Sequence, residues 1–81
     1  MNIKKVRDTE NVVIRNFIQS QYTEQIDALL SELETKKNFI KLTIKNGTIN
    51  KINVKQMFDI IQQINTAVLE RDVILDFFSE S

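Results

Sequence analysis

From Ile14 to Leu33 the apolar positions recur at spacings of three and four. Ile14, Ile18, Tyr22, Ile26, Leu29 and Leu33 trace one stripe of an amphipathic helix, with Val13 and Phe17 off the stripe. Asp8 or Thr9 can accept hydrogen bonds from the first free amides, and Glu10 suits the positive end of the helix dipole. The pattern therefore predicts a helical segment from about Thr9 to Lys36. Ser20 or Thr23, in "QSQYTE", offers a second cap, so the segment reads either as one long helix or as two helices broken near residue 21. Lys36 and Lys37 close it, where cations suit the last carbonyls.

The period then changes. In "KKNFIKLTIKNGTINKINVK", residues 36–55, apolar and polar residues alternate on both sides of an Asn-Gly pair, a strong short-range signal for a β-hairpin. A two-residue turn would mix apolar and polar side chains on each face. A three-residue loop, Lys45-Asn46-Gly47, pairs Ile44 with Thr48, Leu42 with Asn50 and Ile40 with Ile52. Ile40, Leu42, Ile44, Ile52 and Val54 then share an inner face, and Gly47 takes the left-handed conformation of a bulge. The outer face carries Phe39, Lys41, Thr43, Ile49, Lys51, Asn53 and Lys55, with Lys45 at the tip.

The last segment returns to helical spacing. Asn53 and Gln56 resemble a capping box at its start. Met57, Ile60, Ile61, Ile64, Val68 and Leu75 form the main stripe, with Ala67 and Phe78 beside it. A second stripe, Leu69, Val73 and Phe77, lies on another side of the same helix. A helix apolar on two sides needs two covers. The expectation is an α+β fold, helix–β-hairpin–helix, in one domain over residues 1–81 with a loosely ordered stretch at 1–8. Leu69, Val73 and Phe77 are the expected interface of a homodimer.

Length strengthens that expectation, because a chain of 81 residues buries a smaller share of its surface than a larger domain does. Without Cys, no disulfide compensates. The basic N-terminus is followed by no apolar run, so neither a signal peptide nor a membrane span is expected, and the expected location is cytoplasmic. A usage rich in Lys, Asn and Ile and free of Pro, Cys, His and Trp fits an AT-rich bacterial or phage genome.

Net charge is zero, but it is laid out in blocks. Residues 8–35 and 56–81 are acidic, whereas residues 36–55 hold Lys36, Lys37, Lys41, Lys45, Lys51 and Lys55 and no acid. Such a chain can neutralise itself by folding or by pairing with a copy of itself.

Candidate chemistry is sparse. With no His or Cys, the usual general base and thiol nucleophile are missing, and the one Gly leaves no phosphate-cradling loop. Asp72, Asp76 and Glu80 form a row that reads as a solvated face, as a docking strip for the lysines, or as a weak Mg²⁺ site. The lysine face reads as edge protection for a two-stranded sheet, as a contact for an acidic protein, or as a nucleic-acid surface. We expect a small regulatory or adaptor protein, not an enzyme, with no catalytic residues, metal or cofactor. It binds an unidentified protein through Phe39, Lys41, Lys45, Lys51 and Lys55. The alternative is a nucleic-acid-binding regulator that uses the same residues.

Overall fold

The computed structural model describes residues 3–79, with side-chain surroundings from residue 10. Two helices account for nearly all of it: α1, Ile3–Lys45, and α2, Lys51–Phe77. They lie antiparallel. Tyr22 reaches Glu70, Lys36 reaches Gln56, and Arg15 reaches the carbonyl of Leu75. The result is a helical hairpin measuring 69 × 15 × 12 Å. Its radius of gyration, 19.0 Å, is well above the ~12 Å of a compact domain of this length. The molecule is a rod.

One seam holds it together. Ile26, Leu29 and Ile40 from α1 and Ala67 from α2 are buried, with Leu33, Ile60, Ile61, Ile64 and Val68 half-buried beside them. From Tyr22 to Thr43 the inward positions of α1 alternate in steps of four and three: Tyr22, Ile26, Leu29, Leu33, Lys36, Ile40 and Thr43. That is the repeat of two helices packed along their length. Lys36 is the polar member of the series. Its Nζ donates to Gln56 Oε1 at 2.8 Å and to Asn53 Oδ1 at 3.4 Å, tying the helices together near the turn.

The β-hairpin is not formed, and no strand occurs among the described residues. The expected α+β class is therefore corrected to an all-helical hairpin. Asn-Gly serves a different purpose: it ends α1. The Gly47 amide donates to the Ile44 carbonyl at 2.9 Å and the Thr48 amide to the Thr43 carbonyl at 2.8 Å, with Gly47 at φ +85°. This is the Schellman arrangement, which needs a left-handed residue just past a helix end. Positive φ at Gly47 agrees with the sequence reading, but it sits in a helix cap and not in a strand bulge.

The pairings Ile44–Thr48, Leu42–Asn50 and Ile40–Ile52 fall with the hairpin. Of the five residues expected on the inner face, Ile40 is buried and Val54 half-buried, whereas Leu42, Ile44 and Ile52 are 58%, 53% and 69% exposed. Two strands alone make a marginal structure. Continuing α1 as a helix carries Ile40 and Thr43 into the same seam as Ile26 and Leu29, and this packing outweighs the β preference of the isoleucines and threonine.

Three further details follow. Residues 9–36 form one uninterrupted helix, and α1 begins upstream at Ile3, so Asp8, Thr9, Ser20 and Thr23 all lie inside it. Lys36 and Lys37 are interior too. Lys37 pairs with Glu34 at 3.5 Å. Finally, α2 starts at Lys51 and is capped by Asn50, not Asn53. The Asn50 Oδ1 accepts from the amides of Ile52 at 3.0 Å and Asn53 at 3.3 Å, satisfying two of the free amides of the first turn.

Candidate functional site

The five residues assigned to partner binding remain together, on helices instead of strands. Lys41 and Lys45 occupy the last turns of α1, and Lys51 and Lys55 the first turns of α2, across the short connection at residues 46–50. All four are exposed. Each pair is one turn apart and lies away from the seam, so the lysines flank the end of the rod on both edges. Phe39, in the same stretch of α1, is half-exposed. Leu42, Ile44, Ile49 and Ile52 are also exposed at this end. The turn end therefore combines four exposed positive charges with largely exposed apolar side chains.

Backbone electrostatics divide these lysines. Lys41 and Lys45 stand at the C-terminus of α1, where the dipole is negative and favours cations. Lys51 and Lys55 stand at the N-terminus of α2, where it disfavours them. The acidic row lies at the other end of α2. Asp72 is 17 residues from Lys55, about 25 Å along a helix, so it cannot neutralise the lysines within one chain. Glu80 lies outside the described residues. Asp72 takes an ion pair from its neighbour Arg71 at 3.2 Å. Among the described residues no group of acids forms a metal-ligating cluster.

Leu69, Val73 and Phe77, assigned to a dimer interface, lie on the side of α2 turned away from α1. They are 65%, 60% and 77% exposed. Phe58, not singled out from the sequence, is exposed nearly as fully and extends the same surface towards the turn end. Its spacing from Leu69, eleven residues or about three turns, was the available signal.

Arg15 was also missed. Its guanidinium donates to the Leu75 carbonyl at 2.8 Å, supplying positive charge to the C-terminus of α2, whose own last turn has no basic residue. At mid-length Tyr22 donates to a Glu70 carboxylate oxygen at 3.2 Å. Partial desolvation, this hydrogen bond and the Glu70 charge all raise the phenol above its usual range.

An open groove of about 650 Å³ runs between the helices, lined by Ser31, Glu32, Thr35, Lys36, Gln56, Asp59, Ile60 and Gln63. It is a furrow on a flat face, and Lys36 is engaged with the two amides named above. No described helix is long and apolar enough to cross a membrane. What the fold and surface define is an antiparallel helical hairpin with a basic end and an uncovered apolar face. Family models, curated proteins and solved structures all fail to match the chain.

Proposed function

We propose that this chain is a small, non-enzymatic regulatory or adaptor module that acts by binding another protein, and that the turn end of the rod is the surface it offers. The observation that carries the reading is the concentration of Lys41, Lys45, Lys51 and Lys55 with exposed Phe39, Leu42 and Ile52 at that end. Exposed lysines alone serve solubility. Lysines interleaved with large apolar side chains suit an acidic protein surface that also has an apolar patch, since charge steers the encounter and apolar contact holds it. The cross-section is only about as wide as two helices, which favours a small footprint.

The test replaces Lys41, Lys45, Lys51 and Lys55 together by Gln and compares affinity capture from a bacterial lysate by the intact chain and the variant. Helicity is checked by circular dichroism. A discrete protein retained by the intact chain, lost from the folded variant and released by salt supports the reading. Identical retention by both chains removes it. Loss of the captured material on nuclease treatment replaces it with the nucleic-acid reading.

A further inference from the structure

We infer that the outer face of α2 is a self-association surface, on which α2 of a second copy packs antiparallel about a twofold axis near Asn65 and Thr66. The inference shares only Lys55 with the proposed partner surface and rests on three observations.

The first is area. The chain exposes 6537 Å², whereas a folded monomer of 9.5 kDa exposes about 5,000 Å². The excess, on the order of 1,500 Å² per chain, is within the range that stable dimers bury. The second is where the apolar part of that excess lies on α2. Phe58, Leu69, Val73 and Phe77 run along its outer side, away from α1 and each more than half exposed, with the Phe77 ring set edge-on to its neighbour Phe78.

The third is charge. α2 is charged against its own dipole at both ends: Lys51 and Lys55 occupy the first turns and Asp72 and Asp76 the last, with no acid in the first turn and no base in the last. The basic start is unfavourable alone, and at the acidic end Arg15 on the Leu75 carbonyl offsets only part of the mismatch. An antiparallel second copy offsets what remains at both ends, because it sets the basic start of one α2 beside the acidic end of the other.

The register follows from the sequence. Phe58 lies three residues after Lys55, and Val73 lies three residues before Asp76. Setting Phe58 against Val73 of the second copy therefore sets Lys55 against its Asp76. The same register places Gln62 beside Leu69 and carries Phe77 over the exposed flank of Val54. Because Asp72 is already engaged by Arg71, Asp76 is the carboxylate at that end with no ion pair among the described residues. The contact is isologous, so every pairing occurs twice.

The test uses the full chain in sedimentation equilibrium and disulfide trapping. The native sequence contains no Cys, so one introduced thiol reports one position. Thr66→Cys, near the axis, should cross-link to itself rapidly under mild oxidation. Phe77→Cys should not, because the axis carries the two copies of residue 77 far beyond the separation a disulfide spans. Val73→Glu should raise the dimer dissociation constant at least about 100-fold. Lys55→Glu and Asp76→Lys should each raise it about tenfold at low salt, and the double reversal should recover most of the loss. A 9.5 kDa species at several hundred micromolar would overturn the inference. So would equal cross-linking at Thr66→Cys and Phe77→Cys, which marks a parallel pair, or additive losses in the double reversal.

Discussion

The two sides of α2 are similar in sequence and opposite in fate. The inner side carries Met57, Ile60, Ile64, Ala67 and Val68, and α1 covers it. Ala67 is 2% exposed. The outer side carries Phe58, Leu69, Val73 and Phe77 at equally helical spacing, and nothing in the chain covers it. Periodicity marks a face for burial, but a hairpin of two helices has a single seam to give. What separates the two faces is the supply of covering surface, not their composition.

The largest predicted effect breaks that symmetry directly. Leu29→Ala opens the seam where Ile26, Leu29 and Ala67 are buried, and should destabilise the hairpin by about 2–3 kcal/mol. Phe77→Ser removes a larger side chain from the outer face. In dilute protein, where a second copy is absent, it should change stability by less than about 0.5 kcal/mol. Urea unfolding at low concentration checks both. Comparable losses would show that the outer face is packed within the monomer.

How far the sequence disclosed this structure depends on which signal is followed. The stripes of α1 and α2 were legible because spacings of three and four persist from Ile14 to Leu33 and from Met57 to Leu75. The outer stripe was legible for the same reason. Residues 36–55 were misread because Asn-Gly is ambiguous. Its glycine supplies positive φ equally well to a hairpin and to a helix cap. Thr43, Ile40 and Ile44 tilt the local choice towards strand, yet the inward series Leu33, Lys36, Ile40 and Thr43 continues the helical period across that boundary. Reading Lys36 as polar, and so as an end, hid the continuity; its long side chain is tied to Gln56 from within the seam. The basic end survived the misreading, since a turn at Gly47 brings Lys41, Lys45, Lys51 and Lys55 to one end in either fold. Arg15 was not legible, because its partner is a backbone carbonyl 60 residues away.

A second, smaller effect tests the joint that brings the two helices together. Gly47→Ala places a Cβ in open space, with no heavy atom within 4 Å, but at φ +85°. The penalty is therefore conformational alone, about 1 kcal/mol. It should lower the urea midpoint without changing helicity. Since every contact of the covered face depends on this turn, and the outer face does not, the dimer affinity of the folded fraction should be unchanged. A concurrent loss of association would tie the outer face to the turn.

The smallest effect marks where the covered face ends. Tyr22 stands at the rim of the seam, half-exposed, and its hydroxyl donates to Glu70 across the two helices. Its phenol is raised above the ordinary value of 10.0 by partial desolvation, by that hydrogen bond and by the Glu70 charge. In the unfolded chain the phenol ionises at its ordinary value; in the hairpin it resists, since a phenolate would face a carboxylate. The hydrogen bond therefore contributes stability fully below about pH 10, and the contribution is lost as pH rises through the raised value. Tyr22→Phe removes both the bond and the titration. Near pH 8 the native chain should be slightly the more stable of the two, and by about pH 11 the difference should shrink or reverse. Lysine deprotonation in that range affects both chains alike, so the difference between their urea midpoints isolates the phenol. A difference that stays constant from pH 8 to pH 11 would show that Tyr22 is solvated independently of Glu70, and that the covered face stops short of it.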